Sequence, residues 1–225
     1  MLGWLFYGLF YVFIHTMIRI GWWRMRAEGW EHLPPRDQGG MIAVMNHVNW
    51  VDIPSVGALL PFSYRLSWLA KSELFSNPVA SWWFRTMNVI PVNRGRRDRA
   101  AIEGVLEALH RGQIVLIFPE GHRSRNAELQ KGHTGAIRLA QQSGVPIIPM
   151  AIYGSQYGLR GILRRQEIML RIGPAYTLGV GPNQRILPDQ MEQLTTDMMV
   201  KIAQLLPSAC HGVYRQALMV ADEAR

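Results

Sequence analysis

One cysteine among 225 residues, Cys210, excludes an intramolecular disulfide, so the chain neither needs nor betrays an oxidising compartment. No pattern that activates a thiol surrounds it, and Cys210 is set aside as a nucleophile. Paired cysteines and His-x-x-x-His spacings are also missing, so His47, His122 and His133 lack the spacing typical of a zinc site. Glycine-rich repeats, low-complexity tracts and an internal period are absent as well. Acidic residues are scarce. Against 24 Lys and Arg stand 16 Asp and Glu, a net charge of +8, which favours an anionic partner: phospholipid headgroups, nucleic acid or a phosphorylated substrate. Neither a nucleic-acid recognition module nor a basic helix with a reading face is evident, so no nucleic-acid partner is expected.

The length suits one compact domain with an appendage. Residues 2–18 carry no charged side chain apart from His15 and are crowded with Trp4, Phe6, Tyr7, Phe10, Tyr11 and Phe13; Arg19, Arg24 and Arg26 close the run. As a helix it would measure about 25 Å, slightly short of a hydrocarbon core of about 30 Å. The arginines follow rather than precede it and no small-residue cleavage site is evident, which argues against a secretory signal. Trp22, Trp23 and Trp30 extend the aromatic theme into the region where side chains sit between lipid tails and water. The expectation is a membrane anchor at residues 1–28, shallowly inserted or spanning, and a domain at residues 29–225. A helix packed on the domain is the bland alternative. If the helix spans, the arginine excess places the domain on the cytoplasmic face of the inner or plasma membrane.

Past this segment, short apolar runs alternate with amphipathic ones. Residues 41–45, 66–70, 89–92, 114–118, 147–152 and 168–172 are predicted strands; 78–87, a segment holding Ile102, Val105, Leu106 and Leu109 on one face, 134–142 and 187–206 are predicted helices. Such alternation predicts an α/β fold with a mostly parallel central sheet and helices on both faces. Ligand sites in open sheets of this kind lie beyond the carboxyl ends of strands. Two residues there carry chemistry: His47, just past the run 41–45, and Glu120, just past 114–118. Pro54 is tolerated only in the first turn of a helix, so a helix should begin near Asp52. On an unbroken helix His47 and Asp52 would point about 140° apart, whereas a strand-to-helix turn between them can fold them together. Imidazole takes up a proton near neutral pH, and a neighbouring carboxylate holds its tautomer and stabilises the cation. Alone, such a pair is more often structural than catalytic.

Ordered companions change that judgement. Asn46-His47-Val48-Asn49-Trp50-Val51-Asp52, then Val89-Ile90-Pro91-Val92-Asn93-Arg94, then Phe118-Pro119-Glu120-Gly121-His122-Arg123-Ser124, then Val145-Pro146-Ile147-Ile148-Pro149 occur in the order found in the glycerolipid acyltransferase family. The chain resembles that family from about residue 29 to 174, most closely its 1-acyl-sn-glycerol-3-phosphate (lysophosphatidate) acyltransferases with their His-x4-Asp motif. Lys71 and Leu74 also match the family's spacing. The resemblance implies acyl transfer from an acyl-coenzyme A or acyl carrier protein thioester to the sn-2 hydroxyl of lysophosphatidate, giving phosphatidate. It implies no cofactor beyond that donor. By resemblance His47 is the general base and Asp52 orients it; Arg94 binds the acceptor phosphate, with Arg123 a second phosphate residue and Lys71 part of the substrate site. Glu120 and Gly121 shape the acceptor pocket, the carboxylate taking hydrogen bonds from glycerol hydroxyls. Arg96, Arg97, Arg99 and Lys131 are equally read as phosphate ligands or as solvated basic residues. Two departures stand out: Asn88 where the family usually has glycine, and His122 where threonine is common, which bears on the acceptor. Acyltransferases on other lysophospholipids, and a non-catalytic lipid-binding module of the membrane surface, are the alternatives.

Overall fold

A computed structural model describes residues 2–93, 98–182 and 184–223. The first helix, α1 (Leu2–Arg19), is followed by β1 (Met25–Glu28), β2 (Met41–Met45), α2 (Asp52–Leu59), β3 (Leu66–Lys71), α3 (Pro78–Thr86), β4 (Val89–Val92), α4 (Arg99–His110) and β5 (Ile114–Ile117). Then come α5 (Gly135–Ser143), β6 (Ile147–Tyr153), α6 (Gly158–Leu163), β7 (Ile168–Ile172), α7 (Pro188–Leu205) and α8 (Arg215–Glu223). The strands form one 7-stranded sheet in the order β1-β7-β6-β2-β5-β3-β4. Every pairing is parallel except β6 with β7. The predicted α/β architecture therefore holds.

Side-chain alternation explains the layers. Along β2, Met41, Ala43 and Met45 join one buried cluster while Ile42 and Val44 join another, because successive strand residues point to opposite faces. The first cluster takes in Ile14 of α1 and Val56, Ala58 and Leu59 of α2. The second takes in Val105 and Leu109 of α4, Ile137 of α5 and Met198, Met199 and Ile202 of α7. A strand covered on both sides reads as a continuous apolar run, which is why β2 and β5 are legible. Pro91 sits in β4, at the sheet's edge, where a missing N–H is tolerated.

Helix α1 lies on α2. Tyr7 and Ile14 are buried, with Phe10 and Ile18 packed beside them, a stripe at helical spacing. The Tyr7 hydroxyl donates to the Gly57 carbonyl at 2.7 Å, and Arg65 lies over the rings of Trp4 and Tyr7 while donating to the Thr86 carbonyl at 2.6 Å. The opposite stripe, Leu5, Leu9, Val12 and Phe13, is exposed. No described helix is long and apolar enough to cross a membrane, so the spanning form of the expected anchor is not found among the described residues. The sheet also reaches into the expected N-terminal segment, since Met25–Glu28 is strand β1, paired with β7.

The end of β2 is locked by a side chain. Asn46, buried, accepts from the Ile152 N–H through Oδ1 and donates to the Ile152 carbonyl through Nδ2, both at 2.8 Å. The amide thus continues the β2–β6 ladder for one more rung before the chain turns out to His47. Asn46→Ala orphans two buried main-chain groups at about 1–3 kcal/mol each. We expect urea denaturation of this variant to show a loss of at least about 2 kcal/mol; a loss below about 0.5 kcal/mol would contradict the ladder's importance.

Candidate active site

Paired strands β2 and β5 deliver the central residues. Val44 and Ile117 are register partners, and three residues beyond each come His47 and Glu120, on the carboxyl edge where a ligand site was expected. The His47 main chain is held at both ends by the second loop: its N–H donates to Glu120 Oε1 at 2.8 Å, and its carbonyl accepts from the Ser124 N–H at 2.7 Å. Beneath the imidazole lies the Phe118 ring, with centroids 4.0 Å apart and planes 18° from parallel.

Asp52 opens α2, and Pro54 follows within its first turn as the sequence required. The turn from β2 into α2 brings the two expected residues together. Asp52 Oδ2 lies 2.9 Å from His47 Nδ1, and it also accepts from the N–H groups of Val48 at 2.7 Å and Asn49 at 2.8 Å. An oxygen already accepting from two amides can only accept from the ring, so Nδ1 carries the proton and Nε2 is left with its lone pair. The Asp52 side chain is fully buried and that of His47 is 12% exposed. Among the described residues nothing hydrogen-bonds Nε2, which leaves its lone pair free to accept a proton.

Glu120 is engaged by main-chain groups on both oxygens. It is buried, Oε1 is engaged by the His47 N–H, and Oε2 accepts from the Gln130 N–H at 2.9 Å. In this geometry the carboxylate ties the His47 turn to the chain at Gln130. Burial pushes its pKa up to about 7, with the two N–H donors pulling the other way. Gly121 has φ +71, in the region that favours glycine, and a β-carbon there would stand 3.3 Å from His133 Cδ2. His122 Nδ1 lies 2.7 Å from the Glu120 carbonyl, and Arg123 is exposed on the same loop. Lys71 ends β3 on the same edge of the sheet, exposed, in register with Val92. Arg94, Arg96 and Arg97 lie outside the described residues. The flanks of their segment close on each other: the Asn93 N–H and Nδ2 both donate to Asp98 Oδ2, at 2.7 and 2.9 Å, and Asp98 caps α4 through Ala101. Those bonds hold the Asp98 carboxyl below its ordinary range. Asn88 adopts φ 58, so asparagine keeps the left-handed turn where the family usually has glycine.

Sequence reasoning missed three contributors. Phe118 stood in a recognised block but was read only as the end of a strand. Gln130 contributes a main-chain N–H, which leaves no side-chain signature. Asn49, whose Nδ2 reaches the Gln156 carbonyl at 3.4 Å, ties the His47 loop to the chain after β6.

Comparison with known proteins decides the family. A family model described as acyltransferase matches residues 24–153. The chain belongs to the acyltransferase family. Among relatives, this acyltransferase is 38% identical over 113 residues to lyso-ornithine lipid O-acyltransferase from Pseudomonas aeruginosa, covering 50% of this chain and 42% of that protein. It is 33% identical over 141 residues to a 1-acyl-sn-glycerol-3-phosphate acyltransferase from Bacillus subtilis, covering 62% of this chain and 67% of the relative. The first match thus spans less than half of its relative's length. The fold is shared with the crystal structure of the 1-acyl-sn-glycerophosphate acyltransferase PlsC from Thermotoga maritima, with TM-score 0.65, 23% identity, and coverage of 88% of this chain and 78% of that one.

The raised pKa of Glu120 has a signed consequence. The folded carboxyl holds its proton up to about 7 whereas an ordinary one releases it near 4.5, so the folded state binds more protons between those values and loses stability as pH rises through them. Glu120→Gln removes this titration. The melting temperature of wild type relative to the variant should therefore fall between about pH 5 and pH 8; a constant difference across that range would contradict a buried, titrating Glu120.

Proposed function

We propose that the protein transfers an acyl group from a thioester to the free hydroxyl of a lysophospholipid, with lysophosphatidate acylated at sn-2 to phosphatidate. The observation that carries this reading is the open Nε2 of His47, set by the Nδ1–Asp52 contact of 2.9 Å. His47 takes the hydroxyl proton as the alcohol oxygen attacks the thioester carbonyl, forming a tetrahedral oxyanion. Collapse breaks the carbon–sulfur bond, and the proton held by the imidazolium goes to the departing thiolate. The histidine ends as it began, with no acyl-enzyme formed. Asp52 keeps the ring in the reactive tautomer and offsets its transient charge. A thiolate leaves readily, so positioning and proton removal carry most of the rate enhancement.

The donor in this reading is acyl-coenzyme A or an acyl carrier protein thioester. Arg94 and the exposed Arg123 and Lys71 bind phosphate through charge-assisted hydrogen bonds. The acceptor lives in a bilayer, and α1 supports attachment there: one stripe packs on α2, Leu5, Leu9, Val12 and Phe13 stay exposed, and Phe6 meets the exposed Trp82 and Trp83 of α3. An apolar surface of this kind suits a helix lying in the interface plane. We place the protein on the cytoplasmic membrane face. A second acceptor, lyso-ornithine lipid, is favoured by the Pseudomonas relative.

Detergent-solubilised protein incubated with labelled acyl thioesters and a panel of lyso-lipids tests both parts. Phosphatidate should be the chief product and His47→Ala should lower turnover at least about 100-fold with an unchanged far-ultraviolet spectrum. A well-folded variant of near-normal rate would remove His47 from the mechanism. Preference for lyso-ornithine lipid would replace the acceptor and leave the chemistry standing.

A further inference from the structure

A cavity of about 480 Å³ opens where the end of α1 meets the starts of β1 and β7, with Gly21, Trp23, Arg24, Arg26, Arg165 and Glu167 in its walls. Because β7 runs antiparallel to β6 and β1 runs with β7, the amino ends of β1 and β7 share an edge with the carboxyl ends of β2 and β5. The cavity therefore lies on the same edge as His47. Helix α6 stands between them: a β-carbon on Gly158 would lie 3.2 Å from Asn49 Oδ1, in the His47 loop, and the residues just past the helix reach the cavity.

Charge and chemistry in this cavity are one-sided. Arg24, Arg26 and Arg165 face one carboxylate, Glu167, a balance of +2. Glu167 is shared with Arg26 at 3.1 Å, and Arg165 is held in place by donating from Nη2 to the Gly21 carbonyl at 2.8 Å. Among the described residues the Arg24 guanidinium has no hydrogen bond or ion pair, while its main-chain carbonyl accepts from Ile168 and so anchors the backbone that carries it. Trp23 forms part of the wall, and Trp22 next to it is 53% exposed. Tryptophan with arginine at one level is the composition of a lipid headgroup layer. Apolar flanks continue on both sides, the exposed stripe of α1 and the exposed Leu159 and Leu163 of α6.

We propose that this cavity binds the phosphate headgroup of an anionic phospholipid in the supporting bilayer, a site separate from the catalytic one. Guanidinium groups match phosphate oxygens as planar forks of donors, and the flanking apolar residues meet the acyl region of the same leaflet. Occupancy would turn the His47 edge toward the membrane surface from which the acceptor comes. The inference rests on the membrane-surface reading of α1.

The test is sedimentation of the full chain with vesicles of phosphatidylcholine alone and of phosphatidylcholine with phosphatidylglycerol. Wild type should bind the anionic vesicles more tightly. Arg24→Glu should weaken that binding at least about tenfold, since each basic residue near an anionic leaflet counts about fivefold and reversal counts twice. Arg138→Glu, the same charge change on exposed α5 across the sheet, should stay within about twofold on both vesicles. Equal losses in the two variants, or an Arg24→Glu protein that binds as wild type does, would overturn the site while leaving interfacial attachment intact. Absence of wild-type binding to either vesicle would overturn both.

Discussion

A single carboxylate oxygen organises this protein's chemistry. Asp52 Oδ2 receives the Nδ1–H of His47 and the main-chain N–H groups of Val48 and Asn49, with all three contacts at 2.9 Å or less and the side chain buried. Hydrogen bonds to an ionised acceptor are the strong ones, and leaving several such donors unpaired in the interior is costly. The same oxygen therefore shapes the turn from β2 into α2 and selects the tautomer of the ring that the turn presents. Local folding and reactivity are one interaction here.

The surroundings act on the same histidine from other directions. Phe118 limits the ring's tilt by stacking, Glu120 and Ser124 grip its main chain, and Asn46 fixes the strand end from which it departs. Each contact comes from β5, from β6 or from the loop after β5, so the site is only as ordered as the central sheet. Helix α1 contributes differently. It is apolar on two faces, one packed on α2 and the other left exposed.

Much of this could be read from the residues because the physical signals were local. Strands β2 and β5 are uninterrupted apolar runs, β6 and β7 are nearly so, broken by Pro149 and Arg171, and Pro54 marks the start of α2. The convergence of His47 and Asp52 required only a turn between strand and helix. What could not be read depends on distant pairing or on main-chain groups. Strand β1 is only four residues long and fully buries only Met25, too brief for its Met-Arg-Ala-Glu alternation to mark it, and α6 has two glycines in six residues. The engagement of Glu120 by two main-chain N–H groups has no side-chain signature. Likewise the arginine-lined cavity joins segments far apart in the chain that the β1–β7 pairing brings together. For Arg94, the phosphate assignment stands on the family resemblance.

The most direct measurement of the central claim is the nitrogen-15 spectrum of the His47 ring, assigned by comparison with His47→Ala and recorded where the ring is neutral. Nδ1 should be protonated and Nε2 unprotonated in the native protein, with that preference lost in Asp52→Ala. A native ring carrying its proton on Nε2 would contradict the claim, since no lone pair would then face the substrate hydroxyl.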